Sequence, residues 1–280
     1  MSIRKHNIEL TSLEEWFRLA GPKRPDQWVD DRSAKEVARA WLEGKGVLPS
    51  ELNIALIGHP AFGPVFSWHA EPEMKLPFDG FAGETRNTDL SVHAQDAHGE
   101  YLIAVEAKAD EPFSDTVGKT LEDALERYLK NKNSNGVNRI QALAQSLVGA
   151  RAPDDPLITE LRYQLFTGCA GALCEADRRG YKRTLFLVHE FVTNLTVDEN
   201  HRRNAADLDL FLHRLSHGGT ESIKNGEIHG PFEVPGAPLL SNPGFLFIGK
   251  VSRNLRQSAP AILTLGSSLT LSIAPRNPCS

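Results

Sequence analysis

Between Thr88 and Lys108 the chain alternates, turns and alternates again. Thr88-Asp89-Leu90-Ser91-Val92-His93 has the period of two of a strand, and Asp96-Ala97-His98-Gly99 carries turn chemistry. Tyr101-Leu102-Ile103-Ala104-Val105-Glu106-Ala107-Lys108 is a second, more apolar strand. The pattern predicts an antiparallel hairpin, and the turn sets its register. Opposed residues in such a pair keep a constant index sum, so a turn centred between Ala97 and His98 puts Asp89 directly across from Glu106, with Cβ atoms about 4.5–5.5 Å apart. A slip of one residue would send Asp89 to the opposite face.

Helical periodicity surrounds this hairpin. The first 50 residues read as helical: Ser12 caps a short helix through Trp16 and Leu19 that Gly21-Pro22 ends. Ser33 caps a second, with Val37, Ala40, Trp41 and Leu42 on its apolar face and Gly44 as its stop. A short strand is expected at residues 53–57. After the hairpin, Leu121, Leu125 and Leu129 form one apolar stripe; Val137, Ile140, Leu143 and Leu147 form another. Pro156 opens a helix whose face carries Leu157, Leu161, Gln164, Gly168 and Gly171. Its glycines cost helix propensity and imply close packing against a sheet. Residues 185–189 read as a buried strand, and Leu208, Phe211, Leu212 and Leu215 as a helix face. Short strands are expected at 245–248, 261–265 and 268–273. Helices flanking a hairpin and a buried strand argue for α/β or α+β. The expected division is an N-terminal helical extension (1–32), a core (33–217) and a β-rich C-terminal portion (218–280).

Composition narrows the function classes. A chain of 280 residues, 40% hydrophobic and 24% charged, can bury a core without disulfide or metal staples. Its 31 Lys and Arg are outnumbered by 36 Asp and Glu, so a nucleic-acid partner has to meet a local patch. Cys169, Cys174 and Cys279 lack CxxC spacing, which argues against a disulfide framework and structural zinc. No apolar run reaches the roughly 18 residues of a membrane helix, and no signal-peptide core is present. The expectation is a cytoplasmic chain with no membrane partner. The oligomeric state is open, a homodimer included.

The chemistry concentrates in the hairpin. Glu106 and Lys108, two apart on a strand, point to one face with Leu102 and Ala104. Opposed carboxylates at Asp89 and Glu106 repel unless something compensates. A divalent cation would, since Mg²⁺ is held by one or two carboxylates and keeps its remaining waters for substrate.

On these residues the chain resembles the PD-(D/E)XK nuclease superfamily. The motif reads Thr88-Asp89, with Thr where the family name has Pro, then Glu106-Ala107-Lys108. The likeness covers roughly residues 33–192 and is strongest to a bacterial branch with a GETRNTDLSV and VEAKADEPF core. It implies an α/β, restriction-endonuclease-like mixed central sheet flanked by helices. It also implies Mg²⁺ or Mn²⁺ held by Asp89, Glu106 and the backbone carbonyl of Ala107, with Lys108 orienting or activating the attacking water. Glu36 corresponds to a further acid on the first core helix, and Gln164 to a polar residue on a following helix.

Plainer explanations stand beside these roles. The hairpin charges could form a surface salt bridge. Glu36 fits a capping box begun by Ser33, and Gln164 could be a buried polar group bonded to backbone. His189 reads as a core histidine, because a zinc-protease HExxH would need His where Thr193 stands. His93 shares the Asp89 face and belongs either near the site or at the hairpin rim. The acids of segment 109–115, just beyond Lys108, either tune the metal or only solvate a loop, the loop being preferred. Arg178-Arg179, Lys182-Arg183 and His201-Arg202-Arg203 are the basic clusters, and none makes the stripe of a processive duplex binder. The expected function is metal-dependent hydrolysis of nucleic acid, DNA preferred; the alternative is a non-catalytic binding module on the same fold.

Overall fold

The hairpin between residues 88 and 108 lies at the centre of the sheet. The structure of the chain, a computed structural model, describes residues 1–81, 86–220 and 222–256. Its strands are β1 (Ser2–Lys5), β2 (Ile8–Glu9), β3 (Ser67–Lys75), β4 (Asn87–Asp96), β5 (Gly99–Lys108), β6 (Thr184–Val192), β7 (Glu227–Val234) and β8 (Gly244–Asn254). Its helices are α1 (Leu13–Ala20), α2 (Ser33–Glu43), α3 (Ser50–Gly58), α4 (Val117–Lys130), α5 (Gly136–Leu147), α6 (Tyr163–Arg179) and α7 (Asp198–Ser216). The strands form one mixed sheet in the order β2-β1-β3-β4-β5-β6-β8-β7. β3, β4 and β5 are antiparallel neighbours; β5, β6 and β8 run parallel.

The β4–β5 register is the expected one: Leu90 pairs with Val105, His93 with Leu102 and Asp96 with Gly99. Its turn is pinned by Asp96, whose carboxylate accepts from the His98 N–H at 2.8 Å and from Arg183 at 2.7 and 2.8 Å. Gly99 follows at φ +107°, where an L side chain is strained.

Each face of the sheet carries a helical layer. Leu102 and Ala104 of β5 and Phe186 and Val188 of β6 pack with α4 to α7. Ile103, Val105 and Ala107, with Leu185 and Leu187, pack with α1 to α3. Parallel β5 and β6 need a long crossover, supplied by residues 109–183, with α6 lying back across β5 and β6. Gly168 and Gly171 permit that approach. A Cβ at Gly168 would overlap the Phe186 ring, and one at Gly171 would sit 2.9 Å from the Leu76 carbonyl oxygen.

Several sequence expectations need correction. The N-terminal segment is not wholly helical, because β1 and β2 precede α1, and β1 docks in parallel on β3. Ser12 caps α1 as expected, accepting from the Glu15 N–H at 3.2 Å. Ser33 does not cap α2: the cap position is Arg32, and the Ser33 hydroxyl instead donates to Glu111 at 2.8 Å. Residues 53–57 lie inside α3, where apolar residues on all sides blur the helical period. The Leu121–Leu125–Leu129 stripe is not the buried face of α4; Val117 and Ala124 are buried there, whereas Leu129 is 82% exposed. The helix expected from Pro156 begins only at Tyr163, after a short turn at Ile158–Glu160. β7 and β8 extend the main sheet, so 32 and 217 are not sheet boundaries. The strands expected at 261–265 and 268–273, and Cys279, lie outside the described residues. Among those described, no helix is long and apolar enough to cross a membrane.

The packing account predicts that Gly168→Ala destabilises the fold by about 1–3 kcal/mol, since the added methyl must displace Phe186. Urea unfolding measures this; wild-type stability would contradict the close approach of α6 to the sheet.

Candidate functional site

β5 places an acid and an amine at its buried C-terminal end. Glu106 is 3% exposed and Lys108 6% exposed, on the face toward α6. A carboxylate so buried requires partners, and it has three. Lys108 Nζ lies 2.9 Å from one oxygen, the Gln164 amide donates to the same oxygen at 2.5 Å, and Arg86 grips the other. Gln164 is held from its other end, its carbonyl accepting from Lys108 Nζ and from the Ser114 N–H, both at 3.1 Å. The start of α6 and the end of β5 are therefore tied through one amide. Burial acts to raise the Glu106 carboxyl, but Arg86 and Lys108 hold it below its ordinary value.

Asp89 behaves oppositely. The β4–β5 ladder runs to Leu90–Val105, and one step further the Ala107 N–H donates to an Asp89 carboxylate oxygen at 2.6 Å. Burial pushes the Asp89 carboxyl up to about 8, and the nearby charges of Glu106 and Glu73 add to the effect. Of two adjacent acids, one is ionised and one retains its proton near neutrality.

Asp89, Glu106, Ala107, Lys108 and Gln164 line a common cleft of about 380 Å³. Glu36 is not among its walls. It is 1% exposed, its carboxylate held by Arg39 at 2.6 Å and by the Asp31 N–H at 3.0 Å. The structure thus gives Glu36 a complete role in tying α2 to the preceding loop.

Two side chains near the acids escaped the sequence reading, and a third was preferred there as part of a loop. Glu73 occupies a left-handed position in β3, φ +48°, between the register pairs Pro72–Leu90 and Met74–Thr88 that flank Asp89. Burial raises its carboxyl, which accepts from Asn87 at 3.1 Å. Arg86 pairs with Glu106 across the hairpin. Glu111, in the segment expected to be a solvated loop, turns back to line the cleft, accepting from the Ala109 N–H at 2.8 Å. Only Glu111 had a sequence signal, its place three residues after Lys108.

The remaining candidates lie elsewhere. His93 stacks on His69 with ring centroids 4.6 Å apart, and burial pushes it down to about 4. Its register partner is Leu102, toward the turn end of the hairpin. His189 is a core residue whose Nε2 meets Glu51 at 3.0 Å. Arg178 and Arg179 both pair with Glu175 at 2.8 Å, Arg202 pairs with Glu199 at 2.8 Å, and Arg183 with Asp96. Buried Cys169 and Cys174 are thiols, with Cys174 raised to about 11 by burial. Among the described residues, no three His, Cys, Asp or Glu side chains converge as a ready-made metal cage.

The electrostatics give a pH prediction. Folded Asp89 keeps its proton to about pH 8, whereas unfolded Asp releases it near about 4. Between those values the unfolded chain binds fewer protons, so the fold loses stability as pH rises through the window. Without divalent cations, Asp89→Asn should melt higher than wild type, the gap widening from pH 4 to 8 and closing below 4. Thermal melts across this range test it; equal melting at pH 8 would contradict it.

No curated protein and no solved structure matches the chain. A family model matches residues 9–249, and the chain belongs to that family, described as a domain of unknown function, DUF6946.

Proposed function

We propose that the chain is a metal-dependent nuclease that hydrolyses phosphodiester bonds, DNA preferred over RNA, on a restriction-endonuclease-like core made of β3 to β6 with α2 and α6. The observation that carries this reading is the meeting of Asp89, Glu106 and Lys108 of the β4–β5 hairpin with Gln164 of the sequence-distant α6 at one cleft.

The donor set suits a hard cation. Asp89 and Glu106 are oxygen ligands, and the raised Asp89 carboxyl marks negative charge that lacks full compensation. They suit Mg²⁺ or Mn²⁺ as a two-carboxylate site that leaves other positions to water and substrate, with the Ala107 carbonyl as a further donor. A bound divalent ion would supply a water of lowered pKa and would neutralise charge on phosphate oxygens.

This chain's own residues do the rest. Lys108 donates from a flexible stem, and its ammonium, two residues from Glu106, can hold an attacking water at the cleft. Gln164 bonds both that ammonium and the Glu106 carboxylate, restraining the two relative to each other. Glu106 stays ionised against its burial, ready to act as a ligand without first losing a proton.

The alternative, a non-catalytic binding module, draws on one specific observation. Arg86, Lys108 and Gln164 already satisfy Glu106, so the site is stable as an ion-pair network by itself.

Plasmid, linear duplex and single-stranded substrates incubated with Mg²⁺ or Mn²⁺ separate the two readings. Wild type should cleave at least one, and Asp89→Ala and Lys108→Ala should each lose about 100-fold or more in rate while remaining folded. An inactive wild type with no metal-dependent rise in melting temperature would favour the binding module.

A further inference from the structure

A second cleft of about 510 Å³ adjoins the first, sharing Pro22, Gln27, Glu73 and Gln164 with it. Its remaining walls differ in chemistry. Phe78 and Tyr163 present half-buried aromatic rings, Lys23, Arg86 and Arg139 bring positive charge, and Asn87 offers an amide. Both aromatic rings are anchored from behind by the α4–α6 core, and Phe78 also lies 5.9 Å from the Arg139 guanidinium. Arg139 is fixed in turn by Asp79 at 2.6 Å. Rigid aromatic faces beside cations and amide groups form a surface on which an unpaired base stacks while its phosphate is neutralised.

Two further observations favour a single strand over a duplex. None of the basic-cluster residues Arg178, Arg179, Lys182, Arg183, Arg202 and Arg203 lines either cleft, so they form no track at the acids for a duplex backbone. The segment 22–33 also walls both clefts, contributing Pro22, Lys23 and Gln27 to one and Pro22, Arg24, Arg32 and Ser33 to the other. A duplex keeps its bases stacked inside and must clear that rim with its full width. An unpaired strand can feed one nucleotide inward, and clefts of 380 and 510 Å³ match small-ligand sites.

We propose that these clefts together receive a single-stranded nucleic-acid end or flap, its base against Phe78 and Tyr163 and its phosphate passing Arg86 toward Asp89 and Lys108. The inference rests on the nuclease reading and names its substrate class.

Fluorescence anisotropy tests it with the full chain, Ca²⁺ replacing Mg²⁺, and three labelled probes: a single-stranded oligonucleotide, a blunt duplex, and the duplex with an unpaired overhang. The single strand and the overhang should bind at least tenfold tighter than the blunt duplex. Phe78→Ala and Tyr163→Ala should each reduce single-strand affinity about tenfold, while Tyr163→Phe, which keeps the ring, should bind as wild type does. Melting curves on each variant confirm folding. Equal affinity for blunt duplex and single strand, or unchanged affinity in both alanine variants, overturns the proposal. If that occurs while Mg²⁺-dependent cleavage persists, the nuclease reading stands and only the substrate class falls. If no probe binds and no metal raises the melting temperature, both fall.

Discussion

Glu106 holds a buried carboxylate just after the apolar run 101–105 of β5, and the surrounding arrangement follows from keeping it charged. Unpaired, a charge at 3% exposure would either neutralise or unfold the strand end. Arg86 reaches it from the start of β4, Lys108 from the same strand and Gln164 from the first turn of α6. Removing one partner from such a buried set costs about 3–5 kcal/mol, because the remaining charge is left uncompensated. Satisfying Glu106 has a second consequence. The cations favour Glu106, and Asp89, close by and accepting from the Ala107 backbone N–H, is left to its burial and to the repulsion of the neighbouring carboxylates. Neighbouring groups whose environments drive their proton affinities apart are what acid–base and metal chemistry require.

The rest of the fold delivers these partners. α6 can bring Gln164 to Glu106 because Gly168 and Gly171 let the helix lie against Phe186 and Leu76. Its N-terminal end also sets the positive end of the helix dipole beside the carboxylate. On the other side, Ser33 at the start of α2 bonds Glu111 just beyond β5, so the segment before α2 closes over the acids. The helices on opposite faces of the sheet thus both meet the C-terminal end of β5. In parallel strands flanked by helices, that end is where ligands are expected.

What the sequence made legible is local. The hairpin register followed from a short turn and two alternating strands, and it correctly brought Asp89 to the end of β5 beside Glu106. The close packing of α6 was readable from its glycines, although its start was misplaced: Pro156 and Leu161 mimic a helical face while flanking a separate short turn ahead of it. Glu73 was not legible. Pro72 and the left-handed Glu73 interrupt β3, so its alternation is broken where it matters. Arg86 lies in plain view three residues before Asp89, yet its role depends on a partner across the hairpin. Glu36 shows the converse: its place on α2 was readable, but Arg39 and the Asp31 backbone decide its use. Side chains whose roles depend on non-local partners leave no periodic trace.

The central claim is that Asp89 and Glu106 together hold a divalent cation. Titration of wild type with Mn²⁺, followed by the loss of the free-ion electron paramagnetic resonance signal, tests it without reference to any substrate. The account predicts one tight equivalent per chain that Asp89→Asn and Glu106→Gln each abolish, and that Glu36→Gln leaves intact. Binding unchanged in both hairpin variants, or absent from wild type at millimolar Mn²⁺, would contradict it.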